Sequence, residues 1–326
     1  MKRPLRSLPA VAVVGLAFAA PLALDPLGYP MRVLTLVFLF AAMGQAWNLL
    51  GGLANQVSLG HAAFFGIGAY TSTILLRDHG LTPWIGMLVG GAIAAAAAVA
   101  LSIPTFRLRG HYFALATLAF GEVMRVVANS WSEVTGGPVG ISVPFLGDDA
   151  AMFQFTSSVP YYYIMLAALV GVSLVFWRVK AGRLGYRLRA LKENPEAAEV
   201  IGVDTYRAKL AAMLVSAFIT ALLGTLYAQL NYFFDPDTIF GLATVSVRMA
   251  LVAIVGGLGS VWGPIAGAAF LIPVEEFANA FFTNQAAGVS QLFYSLLLIA
   301  VILLEPRGLV ALGGRAARLA RREGRP

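Results

Sequence analysis

The chain has 326 residues, 59% of them apolar and 12% charged, with a mean hydropathy of +0.78; a soluble domain carries about a quarter charged residues, so an integral membrane protein is indicated and a soluble one excluded. The net charge is +7, but the basic residues sit in short loops between apolar runs, which is the positive-inside pattern and not a nucleic-acid-binding surface. There is no cysteine, which excludes disulfides, thiolate metal sites and a cysteine nucleophile and leaves the redox compartment open.

Lys2, Arg3 and Arg6 precede the first apolar run, residues 8–24. It reads as a retained first span or as a secretory signal, since residues 19–23 loosely resemble a cleavage region. Either reading starts the chain in the cytosol. Further apolar runs cover residues 32–50, 58–76, 84–105, 112–128, 160–177, 210–230, 239–255, 264–282 and 289–304. The expected fold is an all-α membrane protein, one transmembrane domain over 1–326 with about ten spans. Eight or nine spans result if a short run is re-entrant, because several are near the lower length for crossing a bilayer.

Ten spans from a cytosolic start place residues 1–7, 51–57, 105–111, 178–209, 256–263 and 305–326 inside, with both termini cytosolic. Of the 23 Lys and Arg residues, only Arg32, Arg77, Arg125 and Arg248 then lie elsewhere. The extracytoplasmic loop 129–159 holds Glu133, Asp148 and Asp149 and no basic residue, as that orientation requires. The small-residue run GGAIAAAAAVA (90–100) suits close helix packing. An internal similarity links LLGGLANQ (49–56) to LLGTLYAQ (222–229). Each copy is followed by a Phe-Gly pair, Phe65–Gly66 and Phe240–Gly241. Such a possible inverted repeat is common in transporters, and chance similarity also explains it in so apolar a chain.

Residues 178–209 form the one long polar interruption. Leu184, Leu188 and Leu191 share a helical face with arginines between them, a pattern expected to lie on the membrane surface. After them the spacing predicts a short bounded helix. Asn194 caps it, Pro195 takes the first helical position, and Gly202 takes the left-handed residue beyond its end. Such a helix fits a cleft in a partner, with Ala197 and Ala198 close-packed there because they are small. The 305–326 tail is basic.

Candidate chemistry is sparse. Glu122 and Arg125 share one helix face, as an ion pair or as part of a substrate path. Arg248 can pair with Glu275 or Glu276, or meet substrate. His61 has no second ligand at metal spacing, so a structural histidine is favoured. No His-Glu-x-x-His, Gly-x-Ser-x-Gly or phosphate-binding Gly-x-x-x-x-Gly-Lys-Ser/Thr pattern occurs. No catalytic residue and no metal site is expected.

NQVSLGHAAFFGIGAY (55–70), RLRGHYFALATLAFGEVMR (107–125), TGGPVGI (135–141), GYRLRALKENPEAAEVIGV (185–203) and GGLGSVWGPIAGA (256–268) occur in that order. Together they resemble the branched-chain amino acid ABC importer permeases of LivM type, over most of residues 40–310. Asn55 stands where that pattern has glycine. The resemblance implies a non-enzymatic subunit of the bacterial inner membrane. Its partners would be a second, LivH-like permease, two cytosolic ATPases and an extracytoplasmic substrate-binding protein. ATP and Mg would be held by the ATPases and no cofactor by this chain. It implies ATPase coupling through Arg187, Asn194, Glu196, Ala197, Ala198 and Gly202. Candidate path residues are Gln56, Ser58, His61, Phe64, Glu122, Arg125, Arg248 and Glu275. Leucine, isoleucine and valine are the expected cargo, with urea or short amides as the family's alternative. An ion-coupled secondary transporter would use Glu122 but gives the 178–209 loop no role.

Overall fold

The computed structural model describes residues 8–25, 28–282, 288–305 and 308–311. Lys2, Arg3, Arg6 and most of the basic 305–326 tail lie outside the described residues. The helices are α1 (Leu8–Ala23), α2 (Tyr29–Asn48), α3 (Gly51–Ala54), α4 (His61–His79), α5 (Pro83–Thr105), α6 (His111–Ser130) and α7 (Ser132–Thr135). They continue as α8 (Ser158–Ala181), α9 (Arg183–Glu193), α10 (Pro195–Val200), α11 (Thr205–Asn231), α12 (Pro236–Ile239), α13 (Arg248–Gly256), α14 (Trp262–Phe282) and α15 (Val289–Leu304). Among the described residues six helical segments are long and apolar enough to cross a membrane: 29–54, 83–105, 158–181, 205–231, 236–256 and 262–282.

Two helices, α2 and α11, are buried along most of their length and form the core on which the others pack. Close approach explains the choice of residues at the α4–α11 crossing. A Cβ on Gly68 would lie 1.9 Å from the Ala221 carbonyl oxygen, and one on Gly224 would lie 2.0 Å from that of Phe65. The two backbones therefore touch, and Thr225 Oγ1 donates to the Gly68 carbonyl at 3.0 Å. α13 and α14 pack on α2 much as α4 and α5 pack on α11. The ring of Phe240 fills the space beside Gly66. Between α12 and α13 the backbone widens into a π-helical turn, Leu242–Val247, whose Ser246 Oγ accepts the Ala62 amide at 2.9 Å.

The segments expected on one side of the membrane do gather at one end of the bundle. Lys192 Nζ donates to the Gly52 carbonyl (3.1 Å), Lys180 Nζ to that of Gly259 (2.5 Å), and Arg109 pairs with Glu196 (2.8 Å). The opposite end carries a feature that the all-helical expectation lacks. Strand β1 (Ile141–Ser142) pairs antiparallel with β2 (Phe233–Phe234), joining the 129–159 loop to the end of α11. Tyr161 and Tyr232 share a 2.6 Å hydroxyl contact beside it.

One expectation is corrected here. Leu188 and Leu191 do not lie on the membrane surface. Both are buried, because α9 turns its leucine face onto α8, α11 and α3. An amphipathic face can be covered by lipid or by protein, and here protein covers it.

Candidate functional site

The sequence-derived residues fall into four separate places. The first is α10. Asn194 Oδ1 accepts the amides of Glu196 (2.9 Å) and Ala197 (3.1 Å), satisfying the exposed donors of the first turn. Pro195 opens the helix, and Gly202 follows it with φ +86°. The chain then turns directly into α11, whose cap Asp204 accepts the Arg207 amide at 2.9 Å. The Arg109–Glu196 pair fastens α10 to the 105–111 loop and raises the pKa of the Arg109 guanidinium, by hydrogen bonding first and charge second. Ala198 and Ala197 behave differently. Ala198 is only 2% exposed and packs into this chain, while Ala197 faces outward. The residues that α10 offers to solvent are instead Val200, 88% exposed, and Ile201, 75% exposed. Arg187, on α9, is exposed at the same end.

The second place is a buried hub at the start of α4. His61 Nδ1 lies 3.1 Å from Ser58 Oγ and Nε2 lies 2.9 Å from Ser216 Oγ. Ser216 donates its own proton to the Ala46 carbonyl at 2.7 Å, so it must accept from the imidazole. That assigns the proton to Nε2 and makes Ser58 the donor to Nδ1. Trp47 Nε1 donates to the Ser58 carbonyl at 2.7 Å, closing the hub across α2, α4 and α11. Phe64 is buried against Phe120, 6.1 Å between ring centroids. Gln56 is half-buried, with its Oε1 atom buried and lacking a hydrogen-bond partner. Just before it, Asn55 has φ +55° and ψ +31°. This left-handed conformation favours glycine and, among residues with a side chain, asparagine.

The third place is on α6. Arg125 Nε donates to Glu122 at 3.0 Å, and the same guanidinium reaches Asp237 of α12, which also accepts from Asn129 Nδ2 at 3.1 Å. The cluster is open: 50%, 30% and 64% of the Glu122, Arg125 and Asp237 side chains are exposed. The buried face of α6 is Phe113, Thr117, Gly121 and Ala128, and its outward face carries Leu115, Val123 and Val126 around the charges. The fourth place is the Arg248–Glu275 pair between α13 and α14. Arg248 Nε donates to Glu275 at 3.0 Å and the guanidinium stacks over Phe40 at 4.5 Å. Glu276 instead accepts from Tyr29.

Sequence reasoning missed Arg109, Ser216 and Asp237, which lie far along the chain from their partners. Asp235, in the Asp-Pro-Asp run at 235–237, caps α12 by accepting the Thr238 amide. The run's second carboxylate carried no signal of a partner. Among the described residues no cluster of metal-ligating side chains forms. A groove of about 800 Å³ between α5, α8 and α11 is lined by aliphatic and aromatic residues such as Ile164, Val215 and Phe218. It offers nothing polar to an amino-acid zwitterion.

The profile of a family described as the branched-chain amino acid transport system / permease component matches residues 29–302. The high-affinity branched-chain amino acid transport system permease protein LivM of Escherichia coli is 31% identical over 322 aligned residues, covering 92% of this chain and 74% of that protein. The nucleoside ABC transporter permease protein NupC of Lactococcus lactis is 26% identical over 255, covering 72% and 75%. Among solved structures, a chain of PsaBC from Streptococcus pneumoniae in complex with Fab aligns at a TM-score of 0.44 and 14% identity, over 83% of this chain and 89% of that one.

Proposed function

Since the chain belongs to the branched-chain amino acid transport permease family, we propose that it is the LivM-type permease subunit of an ABC importer for hydrophobic, branched-chain amino acids. The observation that carries this reading is α10. It is a short helix capped at both ends, fastened at the loop-rich end of the bundle, with Val200 and Ile201 turned to solvent. Two adjacent aliphatic side chains that pack against nothing in this chain are free to meet a partner. They suit a cleft on an ATPase subunit. Closure of that cleft would pass through α9, whose buried Leu188 and Leu191 grip α8 and α11 and whose Lys192 holds Gly52 below the Asn55 break.

In this reading the ten apolar helices make one permease domain, with both termini and the α9–α10 loop cytosolic. The clustering of residues 51–57, 105–111, 178–209 and 256–263 at one end supports that alternation. The similar packing of α4 and α5 on α11 and of α14 and α13 on α2 supports an inverted repeat. The path would run along the outward face of α6. Glu122 lies about 16 Å along that helix at 1.5 Å per residue, near mid-membrane, and charges there must face protein or water. A second, LivH-like permease covering this face would shelter the cluster. A substrate-binding protein would deliver cargo to the end that carries β1 and β2.

The test is transport. The chain, co-reconstituted with its second permease, ATPases and binding protein, should accumulate radiolabelled leucine only with ATP, and unlabelled isoleucine and valine should compete. Competition by uridine but not by isoleucine would assign the cargo to the nucleoside class instead. Accumulation driven by an ion gradient without ATP would refute the importer reading.

A further inference from the structure

At the loop-rich end, the close of α8, the start of α9 and the turn before α14 enclose a cavity of about 580 Å³. Its lining includes Trp177, Lys180, Tyr186, Arg189, Ser260 and Trp262. A second, apolar groove of about 350 Å³ lies beside it between α1, α2, α8 and α14, past Ala17, Phe38, Leu174 and Ile265. The two share Trp177, Val261 and Trp262, so a charged mouth and an oily stem adjoin at these three side chains.

The mouth has cations without counter-charges. Lys180 spends one N–H on the Gly259 carbonyl, and Arg189 donates to the carbonyls of Gly185 (3.1 Å) and Lys180 (3.3 Å) while stacking over Tyr186 at 4.5 Å. Both keep free donors. Among the described residues neither belongs to an ion pair. No described Asp or Glu lines the cavity, and Glu193, four positions after Arg189 on α9, forms no ion pair with that arginine. Two tryptophans and a tyrosine ring this mouth, the residues that favour the headgroup level of a bilayer.

We propose that this site binds one anionic phospholipid. The phosphate sits between Lys180 and Arg189, and an acyl chain lies in the groove between α8 and α14. Basic pockets between helices at the cytosolic surface recognise anionic headgroups in this way. A free phosphate would leave the groove empty and Trp177 and Trp262 in water. Assignment to the cytosolic leaflet rests on the orientation proposed above, whereas the site itself does not. Because Arg189 is on α9, the lipid would brace the helix that carries α10.

The experiment is native mass spectrometry of the full chain in detergent, titrated with phosphatidylglycerol or phosphatidylcholine of matched chains. It reads binding whichever way the chain is oriented, so failure of the site and failure of the orientation are separable. We expect the first phosphatidylglycerol to bind at least tenfold tighter than phosphatidylcholine. Arg189→Gln, at an exposed position, should weaken phosphatidylglycerol about fivefold, and Lys180→Gln with Arg189→Gln about twentyfold or more, at about 1 kcal/mol per cation. Leu174→Trp, which fills the groove without altering charge, should also weaken it. Arg178→Gln, outside the cavity, should not, and millimolar inorganic phosphate should not displace the lipid. Equal affinity for the two lipids, an unchanged Arg189→Gln variant, an equal loss in Arg178→Gln, or displacement by phosphate would each overturn the proposal.

Discussion

Arg125 joins two carboxylates that are 115 positions apart in the chain, Glu122 one turn back on α6 and Asp237 on α12, so this guanidinium fastens the outward helix to the end of the core (about 115 by residue number). A third partner changes what charge exchange can do. Exchanging Glu122 and Arg125 would set a new carboxylate beside Asp237. We therefore expect Glu122→Gln and Asp237→Asn each to retain leucine uptake, since Arg125 keeps one partner. Arg125→Gln, which leaves two carboxylates facing each other, should lose most uptake at normal abundance. Uptake unchanged in Arg125→Gln would remove the cluster from the path.

Ala197 and Ala198 should separate cleanly. Ala198 is buried in this chain, so Ala198→Trp overfills the α10 seat and should lower stability by about 1–3 kcal/mol, read as a fall in Tm of the isolated subunit. Ala197→Trp, on the outward side, should leave Tm unchanged and reduce only ATPase-coupled uptake. The reverse pattern would mean that α10 is rotated from the orientation described.

The His61 hub makes a stability prediction. Ser216→Ala removes the acceptor of His61 Nε2–H and the donor to the Ala46 carbonyl, all buried. A loss of about 1–3 kcal/mol in unfolding free energy is expected for the His61 Nε2–H left unpaired, since the Ala46 carbonyl keeps the Leu49 amide at 3.3 Å. An unchanged denaturation midpoint would contradict the assigned hydrogen bonds.

Orientation is testable because the chain has no cysteine. An impermeant thiol reagent should label Ser132→Cys in intact cells and spare Ile201→Cys. Gly185, although in the same loop as Ile201, is unsuitable, since a Cβ there would meet the Val179 carbonyl at 2.4 Å. Labelling of Ile201→Cys from outside would invert the proposed topology.

What was legible in the sequence was mostly local. Asn194, Pro195 and Gly202 announce α10 because capping depends on neighbouring backbone alone. Arg248 was legible as the partner of one of two neighbouring glutamates because a charge within an apolar run needs a partner and few exist, but the choice of Glu275 over Glu276 was fixed only by packing. Leu188 misled because periodicity gives the apolar face of a helix but not whether lipid or protein covers it. Ala198 misled for the same reason on a smaller scale, its size suiting a partner's cleft and its own core equally. Asp237 and Ser216 were illegible because their partners are fixed by packing across more than about a hundred residues, which no local pattern encodes.

The most direct measurement targets Val200 and Ile201 together. In the complete reconstituted assembly, Val200→Asp with Ile201→Asp should leave the subunit folded and inserted, since neither side chain packs inside this chain. It should abolish the stimulation of ATP hydrolysis by loaded binding protein, and ATP-driven leucine uptake with it. Full stimulation and uptake in that variant would contradict α10 as the docking helix and, with it, the coupling on which the importer reading depends.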